Sequence, residues 1–356
     1  MSAGGSRTEG GRAASASRAA AADAPPLPPF PARDPEGHKG VFGTVCVVGG
    51  QAAPPAVMLG GPAFAARAAL RTGCGLVVLA MPEPLLAAGL TVAPSATGLA
   101  LPCRKDGRLA AAAAAEAIDQ HLRPAQCLAL GPGLGAELPQ QQFTMRLVAQ
   151  EEIPLVVDAD ALNCLAHTRA FHLDFRARAI LTPHPGEFAR LAAALAIDAD
   201  PVDPAQRPAA AESLAQRLGC VVVLKGAGTV VSDGLRTWVS SAGNAALATA
   251  GSGDVLTGVI AGLVAQFHRG DASARLYALA AAKAGRPAPP SLDLFDCARL
   301  GVELHGRAAE RWSARIAAAA GAAAGAAGAG LLADELCDEL PATIAAWRSG
   351  RLHSAP

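Results

Sequence analysis

The sequence has no surplus of charge: 30 Lys and Arg balance 30 Asp and Glu, leaving a formal net charge of zero over 356 residues. It also lacks a basic stripe and any Arg cluster interleaved with aromatics. That excludes an electrostatic nucleic-acid surface and requires any bound anion to be held locally. The eight cysteines, Cys46, Cys74, Cys103, Cys127, Cys164, Cys220, Cys297 and Cys337, form no C-x-x-C pair and stand at no zinc-ligand spacing from His. They read as reduced thiols rather than as a disulfide frame or a metal site. No run reaches the roughly 18 apolar residues, free of Gly and charge, that a membrane span requires. The start lacks the apolar block of a secretory signal, so a cytoplasmic protein is expected. Its Ala, Ser and Arg content suggests a disordered tail over residues 1–35. An organelle transit peptide is the alternative there, opposed by Glu9 and Asp23.

What is present is an apolar chain, 51% hydrophobic, long enough to bury a large core. From Thr44 onward, short β-branched runs alternate with Ala/Leu stretches of helical spacing. This is the pattern of an α/β fold, a mostly parallel central sheet with helices on both faces. Strands are expected at Thr44–Val48, Leu76–Ala80, Gln126–Leu130, Pro154–Val157, Ala179–Thr182, Cys220–Leu224 and Thr229–Ser232. Helices are expected at Ala63–Arg71, Leu109–Leu122, Gln140–Gln150, Gly186–Leu195, Ala209–Leu218 and Val255–Phe267, with helix after helix toward the end. No repeat of solenoid period occurs, so residues 36–347 read as one domain. Residues 269–296 and the Ala/Gly tract at 314–330 read as insertions, and 348–356 as a C-terminal tail.

The functional signals fall where strands give way to glycine-rich turns, the place where open α/β sheets bind ligands. The sharpest is Ala250-Gly251-Ser252-Gly253-Asp254, which runs directly into an apolar, helix-compatible stretch. Glycines let the backbone approach a ligand closely, and first-turn N–H groups attract developing negative charge. Asp254 at that helix start is the candidate base, and Gly251, Ser252 and Gly253 are candidate donors to a phosphoryl group. The bland alternative is that Ser252 or Asp254 merely caps the helix.

Lys225, Gly226, Ala227, Gly228 and Thr229 join two strands. They suit either a nucleotide lying on bare backbone, with Lys225 toward phosphate, or an ordinary hairpin turn. Both Lys-Gly pairs run in the wrong order for a P-loop. Gly131-Pro-Gly133-Leu-Gly135 is a weak dinucleotide fingerprint, because its glycine spacing differs from G-x-G-x-x-G and the acid expected on the next strand is not clearly placed. Thr182-Pro-His184-Pro-Gly-Glu187 closes a strand and opens a helix, presenting His184 at the crevice, though His184 could be a plain surface residue and Glu187 a first-turn charge. Asp158 and Asp160 could orient Mg²⁺ through water or hold a ribose, and Asp160 could equally cap a helix.

Taken together and in order, these segments resemble the ADP-dependent NAD(P)H-hydrate dehydratases, a branch of the ribokinase-like superfamily. The likeness includes His38-Lys-Gly-Val-Phe-Gly43, Ala68 to Val77, Asp158-Ala-Asp-Ala-Leu-Asn163, Gly243-Asn244 and the Leu-His-Gly ending at Gly306. It covers roughly residues 36–345. The resemblance implies a ribokinase-like fold and an ADP-driven loss of water from the (6S) hydrate of NADH or NADPH, releasing AMP and phosphate. It implies Asp254 as catalytic base, Lys225 to Thr229 and Gly253 on the AMP part, and Gly61, Gly133, His184 and Asp254 on the hydrated substrate. It further implies ADP as phosphoryl donor, Mg²⁺ placed through water by Glu187, and a homo-oligomer such as a tetramer.

Two departures stand out. The chain reads Gly60-Gly61 where relatives usually have Gly-Ala, and Ser252 where they usually have Thr. Many relatives carry an N-terminal epimerase domain; only a short tail precedes residue 36 here, so a separate epimerase is expected to supply the other epimer. Two rivals are an ATP-dependent kinase of a vitamin alcohol and a catalytically silent nucleotide-binding module. Intact Asp254 opposes the second.

Overall fold

The computed structural model describes residues 26–121, 125–269, 279, 282–283, 290–321 and 328–351. Its strands are β1 (Thr44–Val48), β2 (Leu76–Pro82), β3 (Thr97–Leu101), β4 (Cys127–Leu130), β5 (Leu155–Val157), β6 (Ala179–Leu181), β7 (Val221–Leu224), β8 (Val230–Ser232) and β9 (Thr237–Val239). They form one nine-stranded sheet in the order β3-β2-β1-β4-β5-β6-β7-β8-β9. Pairing is parallel from β3 through β7, and β8 and β9 complete the sheet antiparallel.

The helices are α1 (Gly60–Thr72), α2 (Glu83–Val92), α3 (Ala111–His121), α4 (Leu138–Val148), α5 (Asp160–His167), α6 (Pro185–Leu195), α7 (Arg207–Leu218), α8 (Ser252–Phe267), α9 (Leu294–Ala319) and α10 (Ala333–Arg348). β1 shows how they are apportioned. Successive side chains of a strand point to opposite faces, so Val45 and Val47 enter the core beneath α1, α8, α9 and α10, whereas Cys46 and Val48 enter the one beneath α3 to α7. Burial on both faces explains why the central strands are near-continuous apolar runs.

The α/β expectation holds. Helices α1 and α8 begin three residues earlier than their apolar periods suggest, at Gly60 and Ser252, because the turn residues Gly60-Gly61-Pro62 and Ser252-Gly253-Asp254 supply the first turn of each. β3, β9, α2 and α5 escaped the sequence reading. β3 (Thr97-Gly-Leu-Ala-Leu101) is a mostly exposed edge strand with no aliphatic β-branched residue, so it carries no clear strand pattern.

The boundaries expected of tails and insertions also differ. Within the expected tail, residues 30–31 pack onto the domain, with Phe30 buried against Phe267 and Trp347, whereas residues 32–35 are exposed. Residues 314–319, expected to begin an insertion, continue α9. The end of the 269–296 segment forms that helix's start, where the Asp293 carboxylate accepts from the Asp296 amide. The remainder of these segments, 1–25, most of 270–289, 322–327 and 352–356, lies outside the described residues. All eight cysteines are free, as expected of reduced thiols.

Candidate functional site

Parallel pairing brings the carboxyl ends of β1, β4, β5, β6 and β7 to one edge of the sheet. The turns beginning at Gly49, Gly131, Asp158, Thr182 and Lys225 therefore converge there. Facing them is the start of α8. Gly251 precedes it at φ 86°, a left-handed conformation that glycine adopts without a Cβ clash, and no side chain caps the helix. The capping alternative is thus not what the structure contains. The Ser252 hydroxyl donates to the Leu247 carbonyl at 2.7 Å instead, and the Ser252 amide reaches Thr249 O at 3.4 Å. Among the described residues, the Gly253 and Asp254 amides have no acceptor, as expected of first-turn donors.

The Asp254 carboxylate lies against Gly61. A Cβ built on Gly61 would stand 3.1 Å from Asp254 Oδ1 and 3.2 Å from Oδ2, so a bare glycine at the start of α1 leaves room for the acid. Burial, and next the negative charge of Asp158, lifts the Asp254 pKa to about 7, with Lys225 opposing and Asp160 and Glu187 adding to the rise. A carboxyl group that titrates near neutrality suits general-base work, whereas one at the ordinary value is a weak base at pH 7.

Lys225 is placed differently from a free charge aimed at phosphate. Its Nζ lies 2.6 Å from Asp158 Oδ1 and 3.7 Å from Glu187 Oε2. The other Asp158 oxygen accepts from Thr257 Oγ1 at 2.7 Å, tying β5 and β7 to α8. Burial alone would lower the Lys225 pKa, but Asp158 and Glu187 outweigh it and hold the ammonium above the ordinary lysine value. Lys225 thus stays charged beside Asp254.

The loop after Lys225 is a hairpin turn between β7 and β8 and also one wall of a cavity of about 560 Å³, which fits both readings of its glycines. The opposite wall includes Ser252, Gly253, His305 and Gly306. That volume lies within the usual range for small-molecule sites, roughly 300–1,000 Å³. Arg207 fixes the loop from below: its Nη2 donates to Leu224 O at 2.8 Å and to Lys225 O at 3.2 Å.

His184 caps α6. Its Nδ1 accepts from the Gly186 amide at 3.0 Å, and the Glu187 carboxylate returns to the His184 amide at 2.8 Å. The half-exposed ring is also 3.4 Å from Glu187 Oε1. Gly133, at φ 59°, lies beside Met58 and Pro62, next to the start of α1. Asp160 accepts from the Gly135 amide at 2.9 Å, so its carboxylate braces the glycine turn rather than capping α5.

The carboxylates of Asp158, Asp160, Glu187 and Asp254 share this region with one ammonium, so a cation fits electrostatically. Among the described residues, however, no group of three His, Cys, Asp or Glu side chains is arranged to hold a metal directly. Asp158, Asp160 and Glu187 already accept hydrogen bonds from protein donors. The donor set fits a hydrated Mg²⁺ held through its water rather than a stripped ion.

The structure brings Asp254, Gly253, Gly61 and the Lys225–Thr229 loop, all singled out in the sequence, to one end of the sheet. Sequence reasoning missed Arg207, Thr257 and the role of His305 in the cavity wall. No local pattern marks Arg207 or Thr257, whose partners stand far away in the chain.

A family profile described as NAD(P)H-hydrate dehydratase matches residues 45–329. The chain is 43% identical over 242 residues to a bifunctional NAD(P)H-hydrate repair enzyme of Salinibacter ruber, a match covering 67% of this chain and 42% of that relative. It therefore spans less than half the length of that bifunctional protein. It is 34% identical over 300 residues to the ADP-dependent (S)-NAD(P)H-hydrate dehydratase of Neisseria meningitidis, covering 81% of this chain and 84% of the relative. Among solved structures, the ADP/ATP-dependent NAD(P)H-hydrate dehydratase of Bacillus subtilis, co-crystallised with ATP and Mg²⁺, superposes with a TM-score of 0.64 at 28% identity, over 93% of this chain and 97% of that one. The chain belongs to the NAD(P)H-hydrate dehydratase family.

Proposed function

We propose that this chain removes water from the (6S) hydrates of NADH and NADPH at the expense of ADP, restoring NAD(P)H and releasing AMP and phosphate. The observation that carries this reading is the meeting of Asp254, whose pKa stands near 7, with the unpaired Gly253 amide at the rim of the cavity formed by the Lys225–Thr229 loop. The names of the relatives support the same reaction.

In the proposed reaction the AMP part lies on Lys225, Gly226, Ala227, Gly228 and Thr229, while the hydrated ring lies toward Gly61, Gly133 and His184. Asp254 takes the proton of the ring hydroxyl, whose oxygen bonds to the β-phosphorus of ADP as the bond to AMP breaks. The amides of Gly253 and Asp254 receive the charge that develops on the phosphoryl oxygens; one such donor contributes about 10²–10³ in rate. The carbon–oxygen bond of the phosphoester then breaks, phosphate departs, and a proton lost from the adjacent carbon regenerates the ring double bond. Mg²⁺, held through water near Glu187, would neutralise phosphate charge. Lys225 offsets part of the negative charge of Asp158 and Glu187 and so reduces their repulsion of the nucleotide's phosphates.

A cytoplasmic location, a homotetramer and supply of the other epimer by an epimerase belong to the same proposal. No helix among the described residues is long and apolar enough to cross a membrane. The decisive experiment supplies ADP and hydrated NADH and follows the absorbance of restored NADH, with Asp254→Asn alongside. Turnover lost in the variant is expected. Absence of an ADP-linked signal in the wild type, or phosphorylation of a vitamin alcohol by ATP instead, would overturn the reading.

A further inference from the structure

His305 sits on α9, 7% exposed, in the cavity wall opposite the Lys225 loop. Its Nε2 lies 2.8 Å from the carbonyl oxygen of Ser252. A carbonyl only accepts, so Nε2 carries the proton and Nδ1 is the bare nitrogen of a neutral ring. Burial lowers the His305 pKa to about 4, in spite of that hydrogen bond, so the ring stays neutral at neutral pH.

The carbonyl it touches belongs to the same peptide as the Gly253 N–H, and that peptide is planar. Holding the oxygen therefore fixes the direction in which the N–H points. Donation to the oxygen also draws electron density from the amide and strengthens it as a donor, the cooperative effect expected along a hydrogen-bonded chain in a poorly solvated setting. Resting on the phosphoryl-transfer reading above, we propose that His305 is a positioning residue: through the Ser252 carbonyl it orients and polarises the Gly253 amide toward the transferring phosphoryl group.

The support behind His305 is rigid enough for such a task. At the next residue, Gly306, a Cβ would stand only 2.7 Å from Ala242 Cβ and 2.9 Å from the Gly243 nitrogen, so α9 presses directly on the cavity loop. Glu310 of the same helix accepts from the Gly243 amide at 2.8 Å, and Ser313 Oγ accepts from Asn244 Nδ2 at 3.0 Å. On the other side the Ser252 hydroxyl is tied to Leu247. The peptide is thus gripped between α9 and the segment that precedes α8.

The test compares His305→Gln, whose terminal amide nitrogen reaches as far as Nε2, with His305→Asn, whose shorter amide does not, and with His305→Ala. Wild type and variants are assayed with ADP and hydrated NADH, their melting is recorded, and the Gly253 amide resonance is followed in ¹⁵N-labelled full-length protein. The expected result is a fall in kcat of about tenfold or more for Asn and Ala, on the scale of a weakened anion-hole donor, with KM for ADP changed less than about twofold. Gln is expected to keep most of kcat, and the Gly253 amide proton is expected to move upfield in Ala and return in Gln. Full kcat in both Asn and Ala, or equal losses in all three without movement of that resonance, would overturn the positioning role. A wild type without ADP-linked turnover would instead overturn the functional reading, and the role in transfer with it.

Discussion

Asp254 is costly to the fold in the form that makes it useful. Its pKa is about 7 in the folded chain against an ordinary value of 3.8, so the folded state holds a proton that the unfolded chain releases between those limits. The stabilising effect of that proton is complete below about pH 4 and lost as pH rises through 7, where the buried carboxylate ionises. Asp254→Asn removes the titration. It is expected to melt higher than wild type at pH 8, and thermal melts across pH should show that advantage shrinking toward pH 4. The same variant is expected to lose about 10²–10⁴ in kcat, the usual worth of a general base. In the wild type, kcat/KM is expected to climb with pH through about 7; a flat profile from pH 5.5 to 8 would remove Asp254 from the role. Asp254 was legible in the sequence because an acid following Gly-Ser-Gly at a helix start has a local chemical meaning. Its perturbing neighbour Asp158 was visible only as an acid at a strand end. The pairing of Asp158 with Lys225, 67 residues away, depends on β5 and β7 ending at the same edge of the sheet. His305 was visible only as part of a motif, since one His on an amphipathic helix gives no sign of the carbonyl it will meet.

At the scale of elements, the site depends on how closely α1 and α8 approach. The buried side of α1 is built from Ala63, Ala65, Ala66, Ala68 and Ala69, and α8 answers with Gly258 and Gly262. A Cβ on Gly258 would stand 2.1 Å from the Ala65 carbonyl oxygen, a backbone atom that cannot swing aside. The two helix starts are set by that contact, which brings Gly61 against the Asp254 carboxylate. Gly258→Ala is therefore expected to destabilise the protein by about 3 kcal/mol, the upper part of the overpacking range, as read by urea denaturation. It is also expected to lower kcat, because α1 must move and carries Gly61 with it. Unchanged stability in that variant would show that the helices have slack. The sequence displayed both helices through their periodicity, yet not their separation: Ala-rich and Gly-bearing faces look weakly apolar in a linear reading, and their value lies in the close approach they permit. Short α5 was hidden because its 8 residues are too few to establish a helical period, and edge strand β3 because it is mostly exposed and carries no aliphatic β-branched residue.

Across the whole molecule, the carboxyl edge of the sheet holds the proposed chemistry while the opposite end is closed by the segment before β1. Phe30 packs edge-on to Phe267 at the last residue of α8, with ring centroids 6.5 Å apart, and lies 5.4 Å from the Trp347 ring near the end of α10. Arg348 Nε donates to Pro31 O at 3.0 Å, and Arg33 Nη1 donates to Gly73 O at 2.6 Å just beyond α1. Residues near the start of the chain thus fasten together the far ends of the helices whose other ends form the site. Composition pointed to a tail there because the Ala, Ser and Arg content offers no long apolar block, but one aromatic residue in such a segment is enough to anchor it when a matching groove exists. This makes a prediction that separates fold from function. Phe30→Ala should cost about 3 kcal/mol, the lower end for truncating a buried phenylalanine, seen as a lower urea midpoint with an unchanged slope. Because Phe30 touches the end of α8 opposite Asp254, kcat and KM for ADP should stay within about twofold of wild type in conditions where the variant is folded. A large loss of kcat at full folding would mean that the position of the α8 start is set from its far end, and that the Gly258 contact alone does not hold it.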